Sequence, residues 1–128
     1  MSPLDLPITV TFVSLLVISL VGFSAWIGLY RGSVDILRGD GGDTVLFKRI
    51  RIHGNLMENA PTFALILGAA EGMGLATAWL LAAVASFVLG RVLHFVLYDD
   101  KRRGMAMALT TFPGAFLGIW AISQIWFS

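Results

Sequence analysis

The sequence predicts an all-α membrane protein, a bundle of four transmembrane helices formed by a single domain over residues 1–128. Of its 128 residues, 57% are hydrophobic and only 13% are charged, and the mean hydropathy is +0.82. A soluble domain of this size keeps about a quarter of its residues charged, so these polar residues are too few to cover a water-facing surface. The charges are also confined to short segments, and residues 6–30 and 104–128 carry none.

Four charge-poor stretches place the helices in order along the chain. A helix needs roughly 20 mostly apolar residues to cross the bilayer core. The first and last helices correspond to the two long charge-free ends, and the middle two to the bare stretches 59–70 and 72–90. Turn residues separate the helices at 39–43, 71–74 and 99–104. The helices are predicted at about 7–30, 47–70, 75–98 and 104–127, with ends uncertain by about 2–4 residues.

The basic residues predict the orientation. Eight of the nine lie at or beside the first and third loops: Arg31, Arg38, Lys48, Arg49, Arg51, Lys101, Arg102 and Arg103. The second loop and both termini have none. The positive-inside rule then places the first and third loops in the cytoplasm and both termini outside.

Charge and residue usage exclude several classes of function. The net charge of +1 does not fit a nucleic-acid binder. The absence of cysteine excludes a disulfide scaffold, a protein thiol nucleophile and thiolate metal sites. The two histidines lie on different predicted helices, without a carboxylate at ligand spacing, so no metal site is expected.

Two helices carry nearly all the polar groups within the spans. Arg51, Asn55 and Glu58 are spaced i, i+4 and i+7, which places them on one face of the second helix. Arg91, His94 and Tyr98 form a similar stripe on the third helix. Charges within a span are costly, so these residues are candidates for function.

The depth of each residue in the membrane, calculated from the helical rise, predicts which residues of the two stripes lie level with one another. Glu58 lies seven residues beyond Arg51, about 10 Å deeper, and Arg91 lies seven residues before Tyr98. We therefore predict a Glu58–Arg91 ion pair that holds the bundle, with Arg51 and the other polar groups nearer the cytoplasmic mouth. Two alternatives stay open: Arg51 snorkels to the headgroups, or His94 and Tyr98 form a polar pair at a helix contact.

Both polar stripes and their neighbouring residues resemble a known family. The segment Arg51-Ile-His-Gly-Asn-Leu-Met-Glu-Asn-Ala-Pro61 is similar to the R-x-H-x-N-x-x-E-x-x-P signature of the MAPEG family, the membrane-associated proteins of eicosanoid and glutathione metabolism. Arg91-Val-Leu-His-Phe-Val-Leu-Tyr98 resembles the R-x-x-H-x-x-x-Y stretch of its third helix. Arg103, ten residues before Pro113, falls where the family often has an arginine beside the thiol. The Gly-Asp-rich loop at 39–43 is typical of short bacterial members.

The resemblance implies a homotrimer of four-helix subunits in a bacterial inner membrane. Three glutathione sites would lie at subunit interfaces, open to the cytoplasm. The residues that match the family's glutathione-binding positions are Arg51, Asn55, Glu58, His94 and Tyr98, with Arg91 beside them as a further candidate. Arg103 would be the catalytic residue near the sulfur, and either Arg31 or Arg38 would reach in from the neighbouring subunit.

The resemblance also implies a glutathione-dependent transferase or peroxidase that acts on lipophilic electrophiles or lipid hydroperoxides. Arginine suits the two carboxylates of glutathione because it binds each through two parallel hydrogen bonds. A thiol with a pKa near 8.5 needs a nearby cation to favour the thiolate. Related prostaglandin and leukotriene synthases often have a hydroxyl or a second arginine near the sulfur. This chain has Gly104 and Met107 there, which favours a general transferase or peroxidase.

Two alternative functions remain open. The first is a non-catalytic member of the same family that binds lipid or glutathione as a scaffold. The second is a small four-helix multidrug exporter, but exporters of that size carry an essential carboxylate in the first helix. The first predicted helix here, about 7–30, has none.

Overall fold

The computed structural model describes residues 5–128, which fold into four consecutive α-helices. The helices are α1 (Pro7–Val34), α2 (Thr44–Gly72), α3 (Thr77–Val96) and α4 (Arg103–Trp126). All four predicted helices are confirmed, and no end differs by more than four residues from its prediction. The largest difference is at α1, which continues to Val34 before Asp35 adopts a left-handed conformation with φ 54°.

Three of the four helices are long and apolar enough to span a membrane: α1, α3 and α4. By length and composition, three of the four predicted spans are therefore confirmed. The exception is α2, whose hydropathy is lowered by Lys48, Arg49, Arg51 and Glu58. Yet α2, the most polar helix, contacts each of the other three helices and is thus an integral part of the bundle.

The first loop is shaped by glycines and an aspartate, as its sequence predicts. Gly41 has φ +56°, and a Cβ there would lie 2.9 Å from Cδ1 of Ile36. Asp43 begins α2: its carboxylate accepts a hydrogen bond from the backbone N–H of Leu46 at 2.8 Å. The same carboxylate accepts the hydroxyl of Tyr30 at 3.1 Å. The loop is thus a tight connection that ties the end of α1 to the start of α2.

Glu71 has a different place from the one predicted. The sequence assigned it to the second loop, but it lies in the last turn of α2. Its carboxylate accepts the backbone N–H groups of Ile8 at 2.9 Å and Thr9 at 2.8 Å, together with the Thr9 hydroxyl at 2.6 Å. The first N–H groups of a helix have no intrahelical partner, and a negative charge there is stabilising. Glu71 therefore caps α1 and joins it to α2.

The bundle core is centred on three phenylalanine rings from different helices. Phe63 of α2 stacks on Phe87 of α3 with centroids 4.5 Å apart. Phe12 of α1 meets both rings edge-on at 5.2 and 5.5 Å. The α1 contribution is small, since Phe12 is the one residue of α1 that is fully buried.

Pro113 lies inside α4 and leaves one carbonyl without its helical donor. Proline has no N–H, so the carbonyl of Leu109 four residues earlier loses its usual bond. The Ser86 hydroxyl of α3 donates to that carbonyl at 2.8 Å. A bilayer core provides no water to donate to this carbonyl, so the Ser86 hydroxyl supplies the hydrogen bond that Pro113 cannot make.

We expect Ser86→Ala to lower the free energy of unfolding by about 1 kcal/mol, because the Leu109 carbonyl then loses its donor. Detergent-induced unfolding followed by circular dichroism measures the change. Ser19→Ala is the matched control, because the Ser19 hydroxyl bonds only to Leu15 of its own helix. Equal effects of the two substitutions would contradict the role given to Ser86.

Candidate functional site

The polar stripe of α2 contains an ion pair within the helix. Nη1 of Arg51 lies 3.3 Å from Oε1 of Glu58, and their side chains are 44% and 58% exposed. The side chains of both residues therefore lie on the outer surface of the bundle. Asn55 lies between them in sequence, is half-buried, and forms its hydrogen bond with α3 rather than with Arg51 or Glu58.

The predicted Glu58–Arg91 ion pair is wrong. Nη1 of Arg91 donates instead to Oδ1 of Asn55 in a short hydrogen bond. The reason is the register of the antiparallel helices α2 and α3. The calculated depths placed Arg51 level with Tyr98, whereas in the structure Lys48 contacts the next residue, Asp99. This shift of about two to three residues brings Asn55, not Glu58, level with Arg91.

Arg91 is held by neutral groups from α2 and α4. Its Nε and Nη2 donate to the Thr110 hydroxyl at 2.9 and 2.7 Å, and Nη2 also lies 3.2 Å from the Met107 sulfur. No carboxylate of residues 5–128 pairs with it. Arg91 therefore fixes the orientation of Asn55 while keeping a net positive charge between the helices.

Sequence reasoning missed Thr110. It is 2% exposed and donates to the Ala106 carbonyl at 2.9 Å while it accepts from Arg91. It lies against Gly90, where the backbones of α3 and α4 approach closely. Two features of the sequence could have indicated this contact. Thr110 is a hydroxyl residue within the apolar helix α4, and Gly90 directly precedes Arg91 on α3.

The polar stripe of α3 continues from Arg91 through His94 to Tyr98. His94 is 5% exposed, and its ring meets that of Tyr98 edge-on with centroids 5.7 Å apart. The Tyr98 ring also contacts two cations: Lys48 Nζ at 5.3 Å and the Arg103 guanidinium at 5.2 Å. Tyr98 thus joins the start of α2, the end of α3 and the start of α4 at one end of the bundle.

The basic residues of this end differ in whether a carboxylate neutralises them. Lys48 pairs with Asp99 at 2.6 Å, and Arg102 pairs with Asp100 at 3.0 Å. The Arg102 side chain and backbone N–H lower the pKa of Asp100 to about 2. Arg103 has no carboxylate partner in residues 5–128, and its Nη1 donates to the Tyr98 carbonyl at 3.2 Å. Its charge is thus available to an anionic ligand.

The two candidate arginines of the first loop differ in their surroundings. Nη1 of Arg31 donates to the carbonyls of Ile36 at 3.2 Å and Gly39 at 2.8 Å, where it closes the end of α1. Arg38 is exposed and makes no side-chain hydrogen bond with residues 5–128. Neither arginine contacts the polar stripes of its own chain.

Taken together, the predicted site residues of α2, α3 and α4 lie at the end of the bundle where the first and third loops meet. Arg51 and Arg103 supply charges that can bind carboxylates or stabilise a thiolate. Asn55 supplies an oriented amide, His94 supplies a buried imidazole ring and Tyr98 a half-buried phenol ring. Such a set suits a small anionic peptide better than an apolar ligand.

Comparison with known proteins identifies the family. The family model described as MAPEG family matches residues 9–123, nearly the whole chain. Comparison with the curated proteins and with the solved structures gave no match. The match covers α2, α3 and both polar stripes completely, and all but the outermost residues of α1 and α4. The chain belongs to the MAPEG family, whose members are membrane-bound.

Proposed function

We propose that the protein is a membrane glutathione-dependent transferase or peroxidase that acts on lipophilic electrophiles or lipid hydroperoxides. Family membership suggests glutathione-related chemistry. The observation that carries the proposal is the grouping at one end of the bundle: the exposed Arg51–Glu58 pair, the fixed amide of Asn55 and the unneutralised Arg103. The lipophilic second substrate would enter from the bilayer.

The α2 stripe would bind the peptide part of glutathione. Arg51 can hold a carboxylate through two parallel hydrogen bonds. Glu58, seven residues away on the same face, complements the ammonium group of the peptide. Asn55 retains its amide N–H groups for a carbonyl or carboxylate of the ligand, because its Oδ1 is occupied by Arg91. Arg91 therefore acts as a positioning residue.

The α3 and α4 residues would hold the thiol end. Arg103 lies at the start of α4, and its guanidinium contacts the Tyr98 ring. A cation near the sulfur favours the thiolate, which is the nucleophile. His94, buried beside Tyr98, would form the wall between the thiol and the apolar interior.

We further propose that all four helices cross the membrane and that the unit is a homotrimer. The Arg51–Glu58 pair lies on the outer surface of a single bundle, and charges facing lipid are costly. A neighbouring subunit against α2 removes that exposure. Of the two first-loop arginines, Arg38 is the better candidate to reach a neighbour's site, because Arg31 is used within its own loop. The first and third loops then face the cytoplasm of a bacterial inner membrane, with both termini outside.

Binding and turnover of glutathione test the proposal on the purified protein in detergent. A saturating ligand of the folded state, at 100 times its Kd, stabilises it by about 2.7 kcal/mol, which a thermal shift detects. Turnover is measured with a chlorodinitrobenzene electrophile and with a hydroperoxide. Stabilisation without turnover would favour the non-catalytic alternative. If glutathione causes no stabilisation and no turnover is detected, the proposal is refuted.

Arg51→Ala should raise the KM for glutathione about tenfold or more and change kcat little. The substitution removes a charge-assisted bond that is made in both the ground state and the transition state. Steady-state kinetics with glutathione as the varied substrate measures both constants. Lys101→Ala, at an exposed position of the third loop, is the control and should leave KM unchanged. A fall in kcat at unchanged KM would assign Arg51 a different role.

A further inference from the structure

A long apolar groove runs between α1 and α3. Its volume is about 780 Å³, and its walls include Ile8, Leu15 and Phe23 of α1 and Leu81, Val88 and Phe95 of α3. At 1.5 Å per residue, the stretch of α3 from Leu81 to Phe95 is about 21 Å long. One leaflet of the hydrocarbon core is about 15 Å thick, half of roughly 30 Å. The α1–α3 groove is therefore long enough for one acyl chain of a membrane lipid.

A second cavity lies at the basic end of the bundle and adjoins the groove. Its volume is about 640 Å³, and we call it the basic-end pocket. Its walls include Trp26, Lys48, Arg49 and Tyr98. The pocket and the groove share two wall residues, Ile52 and Phe95. The apolar groove thus borders a pocket that contains Arg49 and the Lys48–Asp99 ion pair.

Arg49 is the fixed cation of this pocket. Its Nη1 donates to the Trp26 carbonyl at 2.7 Å. Its guanidinium lies 4.7 Å from the Trp26 ring centroid and 4.5 Å from that of Tyr30. No carboxylate of residues 5–128 neutralises it. Aromatic rings and a backbone carbonyl therefore hold Arg49 in place, and they leave its charge and its other N–H groups for an anion.

We propose that the groove and the basic-end pocket form one binding site for an anionic glycerophospholipid. The phosphate headgroup lies in the basic-end pocket near Arg49, since Lys48 is paired with Asp99, and one acyl chain lies in the α1–α3 groove. Basic pockets between helices on the positively charged side of a membrane protein suit anionic headgroups, and each nearby unpaired Lys or Arg raises the affinity about fivefold. The lipid site shares Arg91, His94 and Tyr98 with the walls of the proposed glutathione site, but lipid binding needs no glutathione.

Lipid retention by the delipidated protein tests the site. The protein is reloaded in detergent with phosphatidylglycerol or phosphatidylcholine of identical acyl chains, and bound lipid is counted by native mass spectrometry. We expect saturable binding of phosphatidylglycerol at least about fivefold tighter than that of phosphatidylcholine. Equal or unsaturable retention of the two lipids would overturn the proposal.

Two pairs of variants locate the binding. Arg49→Gln should abolish the preference for phosphatidylglycerol, whereas Arg102→Gln, at an exposed arginine paired with Asp100, should preserve it. Val88→Trp fills the groove and should weaken binding of both lipids. Leu89→Trp is its control, because Leu89 is similarly exposed on α3 but lies outside the groove. If the two arginine variants had the same lipid preference, or the two tryptophan variants the same lipid affinity, the proposed site would be wrong. If Arg49→Gln does not fold, the comparison of the two lipids on the parent protein and the pair of tryptophan variants still test the proposal.

A second copy of the chain is the competing occupant of the groove. The chain contains no cysteine, so Leu15→Cys introduces a single thiol in the groove wall. We expect this thiol to be protected from a lipid-soluble maleimide by phosphatidylglycerol and to form no cross-link between copies through a short bismaleimide. Efficient cross-linking would show that another subunit covers the groove, and would refute lipid binding there. Because no glutathione is present in any of these measurements, their failure leaves the proposed enzyme activity untouched.

Discussion

Gly90→Ala is expected to destabilise the bundle by about 3 kcal/mol, because Gly90 is the glycine at which an added Cβ would make the closest contact. A Cβ at Gly90 would lie 2.5 Å from the Thr110 hydroxyl, 2.7 Å from the Thr110 backbone nitrogen and 2.8 Å from the Ala106 carbonyl oxygen. Two of these atoms belong to the α4 backbone, so α3 and α4 must move apart. The movement also displaces Thr110 from Arg91, and Arg91 then no longer orients Asn55.

Unfolding in detergent followed by circular dichroism measures this loss of stability. The matched control is Gly28→Ala in α1, where nothing lies within 4 Å of the added Cβ. Alanine is a better helix former than glycine by about 1 kcal/mol, so the control should be neutral or stabilised. A Gly90→Ala protein as stable as the control would contradict the close approach of α3 and α4.

Arg103→Ala is expected to lower kcat with glutathione by about 100-fold and to raise the pKa of the bound thiol, if the proposed function holds. Arg103 has no carboxylate partner in residues 5–128, so its charge can act on a neighbouring thiolate. Removing an electrostatic group that acts on developing charge typically costs about 10²–10³ in rate. Because the cation favours the ionised form, its loss raises the pH at which the thiol titrates.

Ultraviolet titration of the thiolate in the glutathione complex checks the cause directly. Arg102→Ala is the control, because Arg102 is the adjacent arginine but is paired with Asp100 at 3.0 Å. It should leave the thiol pKa and kcat unchanged. An Arg103→Ala protein whose bound thiol titrates like the parent would remove Arg103 from thiol activation, whatever its effect on turnover.

Much of the fold follows from the chain's local pattern. The charge-free stretches located every helix because burying charge in a membrane is costly wherever it occurs in the chain. Glycines and Asp43 located the first loop because left-handed backbone and helix capping are local requirements. Hydropathy was a poorer guide to α2, which carries the polar stripe and yet lies against all three other helices.

The sequence predicted which polar residues share a helix face, but not which of them form pairs. Spacing on one helix places Arg51, Asn55 and Glu58 on one face, whereas the Arg51–Glu58 ion pair of the structure was not predicted. The partner of Arg91 depends on how far α2 slides along α3. That register is determined by contacts between distant residues, such as Lys48 with Asp99.

The sequence alone determined the four helices, the family and the residue types of the polar stripes, because each depends on spacing and composition within single segments. Only the tertiary structure decided which groups meet. In it, Arg91 pairs with Asn55 and Thr110, and the Ser86 hydroxyl bonds to the carbonyl freed by Pro113. Arg49 and Arg103 have no carboxylate partner within residues 5–128. Helix register, rotation and the closeness allowed by Gly90 are properties of packed pairs of helices, and no single segment encodes them.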